Sequence, residues 1–165
     1  NRADEIIITK SNYVKKNEIL KILEKIKKYR KEIFFASFES DYFYKLNFEN
    51  DEKFGKINSE NNKNFENKKN KISKNIIKNK NILIFSSIAN PAIFYKTIKN
   101  LAPKNVDEIK FSDHHLYSSE DFAEIEKKSK NYDFIVTTEK DAVKIDKNIE
   151  NLLVLKMRFD LKKDF

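Results

Sequence analysis

Residues 82–91 of the chain, ILIFSSIANP, begin the pattern that decides the fold. The four apolar residues 82–85 form a strand-like run, which two serines end. Asn90-Pro91 is typical of a helix start, because Asn caps a helix and Pro fits its first position. The same order recurs along the chain, with strand-like runs at 82–85, 106–111, 134–137 and 152–157 and helical patterns at 92–101, 119–130 and 139–145. Alternation of strand and helix predicts an α/β fold built of parallel-sheet βα units.

The first 40 residues show a shorter version of this pattern. EIIIT at 5–9 and IFFASF at 33–38 are typical of buried parallel strands, and apolar residues between Ile19 and Tyr29 recur at helical steps of three and four. Two strands and one helix cannot bury both faces of a sheet by themselves. We therefore expect residues 1–40 to be the end of a larger α/β lobe.

Residues 41–80 interrupt the alternation. Apolar residues at every second position of 41–48 predict a half-exposed strand. Residues 53–80 contain nine lysines, eight asparagines and two glutamates, and so carry +7 of the formal charge of +8. This composition is typical of a solvated connector. The sequence thus predicts an extended Lys/Asn-rich linker at 41–80, between residues 1–40 and a carboxy-terminal α/β domain at 81–165.

Three polar loops follow the predicted strands, and a parallel sheet brings the carboxyl ends of its strands to one edge, where function gathers. Helix capping accounts for Asn90, and for Thr138 paired with Asp141, so a structural role is an alternative for these residues. Lys140 lies in a first helical turn, where the helix dipole disfavours a cation unless an anion is bound. The candidate substrate- or nucleotide-facing residues are Asn90, Thr138, Glu139, Lys140 and Asp141.

The loop after the second of these strands contains Asp113, His114 and His115, and the chain has no other histidine. Side chains of neighbouring loop residues diverge, so one histidine can face a site while the other packs. A carboxylate beside an imidazole fixes its tautomer and raises its basicity. His114 and Asp113 are therefore the candidate catalytic residues, with a purely structural role for the pair as the alternative.

Composition limits the remaining possibilities. The 165 residues contain no cysteine, which excludes disulfides and thiolate zinc sites and makes a reducing cytosol the default expectation. No apolar run is long enough to cross a membrane, and no signal-peptide pattern is present. The chain begins at Asn1, not Met, so we expect a fragment. The positive charge favours an anionic partner such as phosphate groups, nucleic acid or a membrane surface.

Four segments together resemble a known family. NRADEIIITK at 1–10, SSIANPAIFYKTI at 86–98, FSDHHLYSSEDF at 111–122 and VTTEKDAVKI at 136–145 are similar, in this order, to the carboxy-terminal half of tetraacyldisaccharide 4'-kinases, the lipid A 4'-kinases. The TEKDAVK and DHH segments are the specific ones. The family usually has glycine where this chain has Ser87.

The resemblance implies a P-loop kinase that transfers the γ-phosphate of ATP, with Mg²⁺, to the 4'-hydroxyl of a tetraacylated glucosamine disaccharide 1-phosphate. It implies a cytoplasmic, peripheral enzyme on the inner membrane, and we expect a monomer that binds no nucleic acid. Residues 1–40 would be the end of the P-loop lobe, and His114 matches the family's catalytic histidine. The Walker A loop requires two glycines, and this chain has only Gly55. We therefore expect that loop upstream, no metal ligands in this fragment, and no kinase activity from the fragment alone.

Two other functions remain alternatives at this stage. A DHH-type metal-dependent phosphoesterase needs several Asp and His ligands for its metal pair, whereas this chain has one such triplet. A nucleic-acid-binding module would use the basic linker, although no RNP-like or helix-turn-helix signature accompanies it.

Overall fold

The computed structural model describes residues 3–46 and 71–163, which form an α/β fold with mostly parallel strands. They divide into two compact units, one made of residues 3–40 and 157–163 and the other of residues 41–46 and 71–156. The elements in chain order are β1 (Glu5–Thr9), α1 (Lys16–Ile26), β2 (Glu32–Tyr44), β3 (Asn81–Ser86), α2 (Pro91–Lys99), β4 (Asn105–Lys110), α3 (Ser119–Ser129), β5 (Phe134–Thr138), α4 (Glu139–Ala142) and β6 (Leu152–Lys162).

The first unit contains a parallel β1–α1–β2 arrangement. Ile6 of β1 lies beside Ile33 of β2, and the register continues to the end of β1. After β1 the chain turns through a short 3-10 helix whose Ser11 hydroxyl donates a hydrogen bond to the carbonyl of Ala36, at 3.2 Å. α1 is amphipathic, and Ile19 is its buried residue. The strand–helix–strand order predicted for residues 1–40 is confirmed.

The second unit is built on four parallel strands in the order β6-β5-β3-β4. β3 lies between β4 and β5 and is buried along its length after Asn81, which explains its uninterrupted apolar sequence. α3 packs Phe122 and Ile125 onto one face of this sheet. The core cluster on that face consists of Leu83, Phe85, Ile109, Phe122, Ile125, Ile135, Ile145, Ile149 and Leu152.

The half-exposed strand expected at 41–48 is wrong for residues 42–44, because Tyr42, Phe43 and Tyr44 are all buried. The two tyrosines pack with Ala142 and Val154. Phe43 pairs its main chain with Ile72 in an antiparallel bridge. Tyr42 and Tyr44 lie on one face of the strand and Phe43 on the other, and all three are buried, so the alternating sequence does not correspond to alternating burial.

The predicted division at residues 40/41 and 80/81 stays a prediction. The compact units follow contacts rather than chain order, since residues 71–80 group with 81–156 and residues 157–163 with the first unit. Most of the Lys/Asn-rich segment, residues 47–70, lies outside the described residues. Among the helices of the described part, none is both long and apolar enough to cross a membrane.

Candidate functional site

The loops that follow β3, β4 and β5 meet at one edge of the second unit, as the parallel sheet predicts. Three side chains from two of these loops, Ser87, Asp141 and Lys144, form a hydrogen-bonded group that we call the edge cluster. Ser87 and Asp141 are fully buried, and the Lys144 side chain is 17% exposed. The cluster touches the loop after β4 through the main chain of the two histidines.

Asp141 is the acceptor at the centre of the edge cluster. Its Oδ1 accepts from the Ser87 amide at 3.1 Å, from the Ser87 hydroxyl at 2.5 Å and from the Lys144 ammonium at 3.3 Å. Its Oδ2 accepts from the Thr138 hydroxyl at 2.7 Å. Burial by itself raises the pKa of the Asp141 carboxyl, but the hydrogen bonds from Ser87, Thr138 and Lys144 outweigh burial and hold the pKa below its usual value. The carboxylate is therefore ionised and satisfied by protein donors.

Lys144 joins the edge cluster to the loop after β4. Its ammonium group donates to Asp141, to the Ser87 hydroxyl and, at 3.2 Å, to the main-chain carbonyl of His115. The ammonium also lies 5.7 Å from the centre of the Tyr117 ring, within the range of a cation–π contact. Burial raises the pKa of the Tyr117 phenol. The Lys144 ammonium group is therefore bound by groups of the protein itself.

His114 points outward from the same edge. Its main-chain torsion φ is 60°, in the left-handed region, and its amide donates to the Ser87 carbonyl at 3.1 Å. The His114 side chain is 73% exposed, and its Nε2 lies 3.7 Å from Oδ2 of Asp113, itself partly exposed. The two candidate catalytic side chains are thus adjacent and open to solvent, and their catalytic role stays a prediction.

His115 turns the other way and packs under the loop. Its ring stacks on Phe111 at a centroid distance of 4.9 Å, and its Nε2 lies 2.7 Å from Oδ2 of Asp121. The Ser118 amide and the His115 ring together hold the pKa of the Asp121 carboxyl below its usual value. Asp121 also completes a capping box with Ser118 at the start of α3. The divergence of the two histidines expected from the sequence is confirmed.

The remaining predicted site residues have local partners of different kinds. Asn90 caps α2 by accepting from the Ile93 amide at 3.3 Å, and Thr138 caps α4 by accepting from the Asp141 amide at 3.2 Å. Glu139 forms an ion pair with Lys156 at 3.1 Å. Lys140 is exposed at the edge. The capping roles are confirmed, whereas contact of these residues or of Asp141 with a substrate or nucleotide stays a prediction.

Two participants were not singled out from the sequence. Lys144 is the last residue of TEKDAVK, and its place three residues after Asp141 on a helical turn was the signal that could have paired them. Asp121 stands three residues after Ser118, which is the spacing of a capping box and places its carboxylate beside the histidine loop. Both spacings can be recognised in the sequence, although neither identifies the contact that the side chain makes with the histidine loop.

The described residues do not form a metal centre. Within 3–46 and 71–163, no three histidine or acidic side chains lie close enough together to hold a metal ion. That this part of the chain contributes no metal ligands stays a prediction.

The sequence was compared with models of protein families and with known proteins. The model of the family described as tetraacyldisaccharide-1-P 4'-kinase matches residues 1–165. A tetraacyldisaccharide 4'-kinase from Chelativorans sp. (strain BNC1) is 39% identical over 70 residues, which cover 42% of this chain and 20% of that protein. The enzyme of the same name from Halothermothrix orenii is 35% identical over 92 residues, covering 49% of this chain and 24% of that protein.

The chain aligns with only part of such relatives, between 18% of the length of the Syntrophus aciditrophicus enzyme and 26% of the Pelagibacter ubique enzyme. Among solved structures, the apo form of LpxK from Aquifex aeolicus in complex with ATP superposes with a TM-score of 0.48 at 16% identity. That superposition covers 96% of this chain and 48% of the solved chain.

Proposed function

Because this chain belongs to the tetraacyldisaccharide-1-P 4'-kinase family, we propose that it is part of an enzyme that phosphorylates a lipid A precursor. The reaction moves the γ-phosphoryl group of ATP to the 4'-hydroxyl of a tetraacylated glucosamine disaccharide 1-phosphate. The observation that carries the proposal is the family match over residues 1–165, which includes the loop with the exposed His114.

The proposed role of His114 is that of general base. A sugar hydroxyl is a poor nucleophile at neutral pH, and a positioned histidine that accepts its proton contributes about 10² to 10⁴ in rate. The 4'-oxygen forms a bond to the γ-phosphorus, the bond from that phosphorus to the leaving oxygen of ADP breaks, and the hydroxyl proton goes to the His114 imidazole. Asp113, 3.7 Å from Nε2 of that ring, would orient it.

The proposed cofactors are ATP and Mg²⁺. A Walker A loop holds nucleotide phosphates with successive main-chain amides and needs glycines that this chain, with Gly55 alone, does not have. We therefore assign phosphate and metal binding to other parts of the enzyme. Lys140, exposed at the same edge as His114, is the residue here that we propose to face an anionic group of the substrate or nucleotide.

The proposed location follows from the substrate. A tetraacylated disaccharide is anchored in a membrane by its acyl chains, so the enzyme would work as a peripheral, monomeric protein at the cytoplasmic face of the inner membrane. The formal charge of +8 on this chain supports approach to an anionic lipid surface.

A transfer assay on two proteins tests the proposal. The complete enzyme and residues 1–165 alone are each incubated with ATP, Mg²⁺ and the tetraacyldisaccharide 1-phosphate, and ³¹P NMR detects a new phosphomonoester at the 4'-position. We expect the product only with the complete enzyme, because the phosphate-holding loop does most of the positioning in phosphoryl transfer. A reaction mixture with a non-hydrolysable ATP analogue is the control.

Failure of the complete enzyme to form the product would refute the proposed function. Product formation by residues 1–165 alone would refute instead the assignment of phosphate binding to other parts of the enzyme.

A further inference from the structure

The main chain of the two histidines is held at both ends by the edge cluster. At the start, the His114 amide donates to the carbonyl of Ser87, whose own amide and hydroxyl are bound by Asp141. At the end, the His115 carbonyl accepts from the Lys144 ammonium. A fully buried carboxylate and a largely buried ammonium thus fix the two-residue segment that presents the His114 ring.

The segment needs such support because of its conformation. His114 has a φ of 60°, and a residue other than glycine is strained in this region and stays there only when its surroundings hold it. Its side chain is 73% exposed. The main-chain bonds to Ser87 and Lys144 hold the segment from the protein side and so fix the position from which the ring extends.

Helix capping does not account for the edge cluster. The Thr138 hydroxyl already caps α4 by accepting from the Asp141 amide, and a serine or threonine cap needs no buried ion pair. Burying a carboxylate and an ammonium costs desolvation free energy, and a well-packed apolar pair is often equally stable. A buried pair that also bonds the main chain of the candidate catalytic loop is better explained by a need for position than by stability alone.

We propose that Asp141 and Lys144 are positioning residues for His114, which they hold in its left-handed conformation through Ser87 and the His115 carbonyl. This inference rests on the proposed function for the role of His114, and it deepens that function by giving two residues of the TEKDAVK segment a role in positioning the histidine loop. Neither residue contacts the substrate in this role; each acts through the main chain of the loop.

The test uses three variants of the complete enzyme. Lys144→Met removes the donor to His115 and leaves Asp141 charged and buried, so it lowers stability as well as loop order. Asp141→Asn combined with Lys144→Met removes both charges at similar volume and regains thermal stability, but the His115 carbonyl still lacks the Lys144 donor and keeps only the longer contact, at 3.4 Å, from the Ser87 hydroxyl. Lys128→Met, which breaks an exposed ion pair with Glu124 on α3, is the matched control.

Each variant is measured for its melting temperature, for kcat and KM for ATP, and for hydrogen exchange of the His114 main-chain amide. We expect the double variant to melt above Lys144→Met, to exchange the His114 amide faster than the wild type, and to have a kcat about 10²-fold lower with an unchanged KM for ATP, because a small displacement of a catalytic group costs about that factor. Lys128→Met should match the wild type in all three.

A double variant that regains both stability and kcat would overturn the proposal, because the edge cluster would then serve stability only. Unchanged exchange of the His114 amide in both Lys144 variants would overturn it independently of any activity. If the wild-type enzyme has no kinase activity, the proposed function fails, whereas the exchange measurement still decides whether Asp141 and Lys144 hold the loop.

Discussion

The loops after β4 and β5 differ in sequence, but both divide their polar side chains between solvent and the protein interior in the same order. In the loop after β4, the exposed Asp113 and His114 precede the packed His115. In the loop after β5, the exposed Lys140 is followed by the fully buried Asp141. Each loop therefore sends charged or titratable side chains outward, two in the first loop and one in the second, and uses the next residue to bind the protein itself.

Within each loop, the outward and inward residues have different roles. Outward residues have few protein partners and remain free to meet a ligand, whereas inward residues have their hydrogen-bonding capacity filled. Asp141 accepts four hydrogen bonds from protein donors. Substitutions of outward residues should change catalysis, and substitutions of inward residues should change stability and loop geometry.

The largest effect is expected at the two histidines. In the complete enzyme, His114→Ala should lower kcat by about 10² to 10⁴ and leave KM for ATP nearly unchanged, because a general base acts on the chemical step. His115→Ala should lower kcat less but reduce the melting temperature more, since it removes the stack on Phe111 and the pair with Asp121. Steady-state kinetics and thermal unfolding of both variants make the comparison.

A greater loss of kcat at His115 than at His114 would contradict this assignment and would indicate that the inward ring acts as the base. Near-full activity of both variants would place the base elsewhere in the enzyme and leave this edge a structural role.

An intermediate effect is expected in acid. The pKa of the Asp141 carboxyl is lowered in the folded protein, so the folded state binds its proton less readily than the unfolded state does. The resulting stabilisation is complete above the unfolded-state pKa of about 4 and is lost as the pH falls below it. Urea unfolding between pH 6 and pH 2 should show a shallower acid decline for Asp141→Asn than for the wild type.

Asp121 and Asp133, whose pKa values are also lowered, remain in both proteins and provide a common background. Parallel acid curves for the wild type and Asp141→Asn would show that the Asp141 carboxylate does not contribute to the decline.

The smallest effect is expected at Asn90. Its side chain accepts the Ile93 amide at the start of α2, and loss of such a cap typically costs about 1 kcal/mol of unfolding free energy. Asn90→Ala should therefore reduce stability by that amount, whereas Asn90→Ser should restore most of it. An increase in KM for ATP or for the lipid in both variants would show that Asn90 also faces a ligand, which its capping role alone does not require.

Much of the fold could be predicted from the sequence because its signals are local. Short apolar runs gave the strands, and their alternation with helical patterns placed the three loops at one edge. The alternating residues 41–48 were misleading, because the burial of Tyr42 and Tyr44 on one face and Phe43 on the other depends on residues distant in sequence, such as Val154 and Ile72.

The site was predictable only in part for the same reason. The loop containing Asp113 and His114 stood out because it holds the chain's only histidines, and Thr138 was recognisable as a cap. The inward direction of Asp141 depends on the register of a four-residue helix, and the contact between Lys144 and the His115 carbonyl crosses from one loop to another. Period and spacing carry no information about such contacts.

The edge cluster reaches the histidine loop through main-chain atoms: the carbonyl of Ser87 and the amide and carbonyl that flank the two histidines. Every amino acid except proline supplies these atoms, so these hydrogen bonds do not depend on which side chains the loop carries. For protein engineering, this means that the exposed residues of the loop other than Asp113 and His114, such as Leu116, can be replaced while the main chain beneath them stays fixed. Libraries that vary these residues while keeping Asp141 and Lys144 could explore new acceptor substrates without first having to rebuild the fold.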